Sequence, residues 1–439
     1  MATADSPLQK LSARLNAAEI SPSGVATNSL RLANSNASHN VYISLDPDRT
    51  LREAAALPQR FAAANPKPLL YGLPVSLKDC FDLAGFPTSC GSRFYAATNG
   101  IAREDSAVAS RLRSQGAIIV GKAHLHQLAY GITGENPDYG DCLQPDDARR
   151  LTGGSSSGGA ASVQEGSAVA AIGTDTGGSI RAPAALCGLA GYRASIELAH
   201  RCNLWRGGTH LAPSFDTLGW LFRDLRDAPL LAEALFGVPI SAPAQMQVRI
   251  GCVHPDFLHD SEAIVLDAFE KWQDRLRARG AQIVSIDTSF WEEAMDIFAP
   301  IQAHEAAAIH TAATQGDFSH FEKSIAERLR WGASIQPAEI ANLRKRHEEF
   351  RERMDTLLRE YDFLIAPCAP VHELIAGADQ THTRRTMLRY TIPMSLAGVP
   401  VITLPSTTGA GVQLIAARGA DAKLLAYAAE LGSGLAADH

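Results

Sequence analysis

Residues 152–179 read TGGSSSGGAASVQEGSAVAAIGTDTGGS, and no other stretch of the chain constrains its fold so tightly. Two Gly/Ser loops flank an Ala-rich middle. Glycine lets a backbone turn sharply and approach a ligand or another strand closely. The middle is a candidate helix, and Ala168 to Ile172 a candidate strand or close-packed helical end. A helix between two tight loops allows both loops to meet at one end of a core, a geometry that periodicity by itself does not settle.

The surrounding pattern predicts an α/β fold with a mostly parallel or mixed sheet. Residues 1–65 read as helices and connections, with a helical segment from Leu51. LLYGLPVSLKD has the short apolar run of a buried strand, carrying Lys78 at its end. A helix is expected over Ser106 to Gln115, a strand over 117–122, and a short helix from His124. Ser241 to Val248 reads as a connection, followed by a strand from Met246. Amphipathic helices fill 260–345, and a charged helix spans Pro337 to Tyr361. DFLIAP, PVITLPS and GVQLIAA read as strands, and a closing helix from Asp421 is expected to stop near Gly432 or Gly434. The 370–390 stretch reads as a loop. One domain over 1–439 is expected, with 240–345 as a cap or specificity insertion.

Composition narrows the function. A formal net charge of -7 gives no general attraction to nucleic acid or an anionic membrane. No run of about twenty apolar residues is present, so no membrane span is expected. The seven cysteines are odd in number and form no CxxC pair, and the opening MATADSPLQKLSARL has no apolar signal core. Both features predict a reducing, cytoplasmic location.

The chemistry-bearing groups cluster in three motifs. Ser179 follows two glycines in GTDTGGSIRAP, and the amides of Thr176, Gly177, Gly178 and Ser179 can converge on one oxygen, as an oxyanion hole requires. A structural turn is the plainer alternative. GGSSSGG, residues 153–159, lacks the spacing of a phosphate loop. Lys78 ends an apolar approach, where desolvation would favour its neutral amine. Its alternative is an ion pair with Asp79 or Asp82. Asp175 is expected to hold the Ser179 loop. Arg181 is expected to pair with Asp175 or another acid, or to clamp a substrate carboxylate. His124 and His126 would diverge on a helix, and no zinc-like Cys/His spacing occurs, so neither a metal nor another cofactor is expected. Cys80, Cys90 and Cys187 read as packing residues, and the 344–353 charges as a solvated helix face.

PVSLKDCFDLAG, REDSAVASRLRSQGAIIVGKAHLHQLAYG, GGSSSGG and GTDTGGSIRAPAALCGLAGYR, in this order, resemble the amidase signature family. SFDTLGWLFRD and GVPVITLPS with GVQLIAA extend the likeness. The resemblance implies a central mixed β-sheet covered by helices on both faces. It also implies a Ser–Ser–Lys triad: Lys78 as general base, Ser179 as nucleophile, and Ser155 as the bridging serine after a cis peptide bond. The implied reaction is hydrolysis of a linear amide through an acyl-enzyme, with a small-molecule amide and water as partners and a monomer or homodimer as the assembly. Gln144-Pro145 stands where the family often has Asn-Pro, and Ser395 where Asn is common. Residues 130–136, with SFDTLGW, resemble plant indole-acetamide hydrolases and related small-amide amidases. Tyr130, Ile132, Trp205 and aromatics near 291–298 are pocket candidates, with core packing as their alternative. Competing activities are one component of a glutamine amidotransferase, a carbamate or urea-type hydrolase, and a binding protein with decayed activity.

Overall fold

The computed structural model describes residues 5–240 and 248–435. The strands are β1 (Tyr42–Leu45), β2 (Pro74–Lys78), β3 (Ile118–Ala123), β4 (Ala170–Asp175), β5 (Ala190–Arg193), β6 (Thr217–Phe222), β7 (Arg249–Val253), β8 (Gln282–Ile286), β9 (Phe363–Pro367), β10 (Val401–Leu404) and β11 (Val412–Ile415). They form one 11-stranded sheet in the order β1-β3-β2-β4-β6-β5-β10-β11-β9-β7-β8. β2 lies parallel to both β3 and β4, whereas β4 and β6 are antiparallel. The sheet is therefore mixed, flanked by helices, as the fold class predicts.

The central strands are buried along their whole length, which suits apolar runs such as residues 118–121, and the one charged residue of β3, Lys122, is buried with Asp79 as its partner. β2 and β4 end at Lys78 and Asp175, pointing the same way, so two chemistry-bearing residues arrive at the same edge. Helix Ala107–Ser114 starts where expected, with Ser106 accepting a hydrogen bond from the Ala109 N–H. Helix Ser157–Glu165 follows the first Gly/Ser loop directly. Gly158 lies beneath the end of β3, where a Cβ would stand 2.1 Å from the Val41 carbonyl oxygen.

Several expectations are corrected. The segment from His124 makes only a three-residue 3-10 turn, Gln127–Ala129, because Leu128 and Ala129 adopt positive φ. The 370–390 stretch, expected as a loop, contains the start of helix Thr381–Ala397, which tolerates Pro393 in its last turns. The closing helix, Asp421–Leu435, ends one residue past Gly434, as expected. The connection placed at Ser241 to Val248 lies, except for Val248, outside the described residues, as do the first two residues of the strand expected from Met246. Within 240–345, β7 and β8 extend the main sheet, and helices Ala294–Thr314 and Lys323–Ser334 pack on each other. Gly332 permits that contact, since a Cβ there would meet the Ala303 carbonyl at 1.9 Å.

Gly219 sits in β6 between β4 and β5, and a Cβ there would lie 1.7 Å from the Tyr192 carbonyl oxygen. Gly219→Ala is expected to cost about 1–3 kcal/mol through overpacking. The urea unfolding midpoint checks this, and an unchanged midpoint would contradict the strand spacing.

Candidate active site

Lys78 is 1% exposed at the end of β2. Its Nζ lies 2.8 Å from Ser155 Oγ, 3.0 Å from Ser156 Oγ and 2.7 Å from Thr174 Oγ1. Among the described residues it makes no ion pair. The neighbouring Asp79 instead pairs with buried Lys122 at 2.6 Å, which disposes of the ion-pair alternative for Lys78. Burial dominates its electrostatics and pulls the Lys78 pKa down from 10.5 to about 8, although Asp175 and Asp216 oppose it from a distance.

The two Gly/Ser loops do meet. Ser156 N–H donates to the Ser179 carbonyl at 3.1 Å, and His126 N–H to the Ser155 carbonyl at 3.2 Å. The Gly154–Ser155 peptide bond is cis. Gly178 adopts φ +124°, and a Cβ on it would stand 2.6 Å from Thr391 Oγ1. Its N–H donates to Asp175 Oδ1 at 2.9 Å. Gly178 is therefore removed from the expected oxyanion donors, because its amide is committed to holding the loop. Thr176, Gly177 and Ser179 line a cavity at this point, and Gly178 does not.

Asp175 anchors the Ser179 loop from below. Its carboxylate accepts from the amides of Gly178 and Ile180 and pairs with Arg181 at 2.9 Å and Arg193 at 3.1 Å, all fully buried. Burial pushes this carboxyl upwards, but the two guanidinium groups and the hydrogen bonds outweigh it and hold it well below the usual range. Arg181 spends its remaining donors on the Thr391 carbonyl, Gln413 Oε1 and Ser395 Oγ. With its five N–H groups taken, Arg181 has none left for a substrate carboxylate. Ser395 thus fills its unusual position as an acceptor for Arg181. Gln144, the other departure, donates to the Leu151 and Leu186 carbonyls and closes its loop.

A narrow cavity opens beside Ser179. Tyr130 and Ile132 line it; Trp205 does not, being stacked on His210 with ring centroids 4.1 Å apart. Phe298 approaches Gly177 from helix Ala294–Thr314. Leu211, Gln302, Arg384 and Leu388 also line the cavity, and no sequence motif singles them out. Ser156, Thr174 and Asp216 are further site members that sequence reasoning misses, although each lies in a motif noted above. Asp216 accepts from Thr176 Oγ1 at 2.5 Å and from the Leu211 and Ala212 amides, tying the 209–212 loop to the oxyanion segment.

Other candidates stay outside the chemistry. Burial pushes the Cys80 thiol up to about 12 and raises the Cys90 and Cys187 thiols well above the ordinary range too, so these sulfurs pack as inert groups. His124 Nε2 bonds the Gly140 carbonyl at 2.9 Å. No group of three or more potential metal ligands occurs among the described residues. Nor is any described helix long and apolar enough to cross a membrane.

Residues 25–425 match the family model described as Amidase. One component of the glutamyl-tRNA(Gln) amidotransferase of Neisseria meningitidis serogroup C (strain 053442) is 28% identical over 471 residues, covering 97% of this chain and 96% of that protein. A crystal structure of an amidase superposes with a TM-score of 0.89 at 30% identity, covering 97% of this chain and 99% of that one. A protein from a vestigial complex, bearing on the origins of an s-triazine catabolic enzyme, superposes with a TM-score of 0.86 at 26% identity over 98% of each chain. The narrower resemblance of residues 130–136 to plant indole-acetamide hydrolases has no counterpart among these relatives.

Removing the Asp175 carboxylate strands Arg181 and Arg193 in the core. Asp175→Ala is expected to lose about 3–5 kcal/mol of stability. Chemical denaturation tests it, and a loss below about 1 kcal/mol would show that the pair is not the anchor described.

Proposed function

This chain belongs to the amidase family, and we propose that it is a serine-dependent hydrolase of small primary amides, working through Lys78, Ser155 and Ser179. One observation carries the proposal: a buried lysine without a carboxylate partner, its Nζ 2.8 Å from Ser155 Oγ. A surface lysine at neutral pH is a cation and no base. Burial that lowers its pKa to about 8 makes the neutral amine accessible.

Neutral Lys78 takes the Ser155 proton while Ser155 takes the Ser179 proton. Ser179 Oγ attacks the amide carbonyl, and the oxyanion accepts hydrogen bonds from amides of the 176–179 segment other than that of Gly178. The carbon–nitrogen bond breaks as Lys78, through Ser155, returns the proton to the leaving nitrogen. Ammonia departs from an acyl-Ser179 ester. Water then attacks along the same relay and releases the carboxylic acid. Ser156 and Thr174 hold Lys78 in place, since each offers a hydroxyl oxygen to Nζ. Helices Ala294–Thr314 and Lys323–Ser334 serve as the specificity cap within the 240–345 region.

A second reading is favoured by the Neisseria amidotransferase relative, whose likeness spans nearly the whole chain. In it the same site would release ammonia from glutamine for a partner protein. Both readings share the chemistry at Ser179 and differ in the acyl group.

Ammonia release should be measured with indole-3-acetamide, benzamide, short aliphatic amides and glutamine. Ser179→Ala is expected to lower kcat/KM by at least about 10³-fold on every amide that the parent cleaves. Equal release by parent and variant would sink the Ser179 assignment. The pH profile gives a separate check. The base works when neutral, so kcat/KM should rise about tenfold from pH 7 to pH 9 as Lys78 loses its proton with a pKa of about 8. A rate flat across that window, or falling, would exclude Lys78 as the base.

A further inference from the structure

Two arginines stand at the cavity that holds Ser179. Arg384, from helix Thr381–Ala397, lines it together with Tyr130, Gln302 and Leu388. Arg328, from helix Lys323–Ser334, lies over the Tyr130 ring with its guanidinium carbon 4.0 Å from the centroid. Both side chains are partly exposed, yet Arg328 Nη1 and Arg384 Nε are buried and lack any acceptor. The remaining Arg328 nitrogens turn to Ser324 on its own helix, at 3.0 and 3.5 Å. Neither arginine makes an ion pair among the described residues.

The nearby acids act on the two arginines through space and make no ion pair with them among the described residues. Glu322 lies 3.7 Å from His126 Nε2 and accepts from Ser324 Oγ, and Glu135 accepts from Thr133 Oγ1 at 2.7 Å. Neither lines the cavity, and no aspartate or glutamate does. Burial, and then the charge of Arg384, pushes Arg328 below the ordinary arginine range, and burial does the same to Arg384. Guanidinium donors left unpaired away from water are costly, and a planar carboxylate satisfies them with matched geometry.

We propose that this cavity selects amides whose acyl chain ends in a carboxylate, which Arg384 binds beside the amide presented to Ser179, with Arg328 strengthening the positive field. The proposal rests on the amide-hydrolase reading above and names its substrate class: the monoamide of a short dicarboxylic acid. The cavity also argues against an α-ammonium group. Leu388 and the Arg384 guanidinium line the space, and among the described residues no carboxylate lines it to receive such a group. Glutaramate, which is glutamine without its amino group, therefore fits this charge pattern better than glutamine does.

The test measures binding by calorimetry to Ser179→Ala, so that hydrolysis does not intervene. Glutaramate is expected to bind at least tenfold more tightly than valeramide, its uncharged analogue, and more tightly than glutamine. Adding Arg384→Met should reduce the glutaramate-to-valeramide preference at least tenfold, while Arg384→Lys retains part of it in a fold checked by circular dichroism. Equal affinities for glutaramate and valeramide, no measurable glutaramate binding, or tighter binding of glutamine would overturn the proposal. So would a preference unchanged in the folded Arg384→Met protein. A parent protein that releases ammonia from no amide would instead defeat the hydrolase reading, and the binding comparison would still decide this one.

Discussion

The buried cluster of Asp175, Arg181 and Arg193 organises the site. Asp175 ends β4, Arg193 ends β5, and Arg181 opens the helix that follows the Ser179 loop. A charge in a low-dielectric core must be paired and hydrogen-bonded, and here the requirement is met from every direction. Asp175 takes two loop amides, while Arg181 reaches Thr391 and Ser395 on helix Thr381–Ala397 and Gln413 on β11. The cluster therefore links the early and late parts of the chain through the one loop whose shape matters for chemistry. Gly178, with its positive φ and its amide turned to Asp175, is how the loop conforms to that anchor.

Lys78 shows the opposite treatment of a buried charge. Its neighbour in sequence, Asp79, is taken by Lys122 on β3, and Lys78 is left with three hydroxyls. Hydroxyls can accept from an ammonium or donate to a neutral amine, so they support either protonation state. A carboxylate at the same distance would favour the cation and raise the pKa. The alternation of Lys78 and Asp79 on successive positions of a strand end sends them to different partners, which is what separates a titratable base from a structural ion pair.

The cavity mouth is built from a different source. Tyr130 comes from the segment after β3, Gln302 from helix Ala294–Thr314, and Arg384 and Leu388 from the helix before β10, while Arg328 of helix Lys323–Ser334 covers the Tyr130 ring. In the proposed reaction, hydrolytic chemistry and acyl selection would thus reside on separate parts of the chain. The relatives share the family while the charge lining the cavity is a property of these particular side chains, so likeness along the whole chain does not carry the acyl group with it.

Much of the proposed site is legible in the sequence. Lys78, Ser155, Ser179 and Asp175 lie in short motifs whose glycines and apolar approaches constrain local geometry, and the strand carrying Lys78 is readable from its apolar run, whereas Ala168 to Ile172 reads equally as a strand or a helical end and the strand extends to Asp175 only in the structure. Ser156, Thr174 and Asp216 lie in the same motifs, but residue type alone does not tell which hydroxyl turns to a lysine or which carboxylate pins a distant loop. The 3-10 turn at 127–129 is hidden from the sequence because Leu128 and Ala129 are not residues that advertise positive φ. The sequence by itself determined the motifs, the mixed α/β pattern and the identity of the groups available for acyl transfer, since these depend on local sterics and hydrophobic spacing. Only the tertiary structure decided that Asp79 pairs with Lys122, that Gly178 gives its amide to Asp175, and that Arg384 lines the cavity whose Tyr130 wall Arg328 covers. Those outcomes depend on how segments distant in the chain pack together and on which of several competing partners each group meets, and chain spacing carries no such distance information.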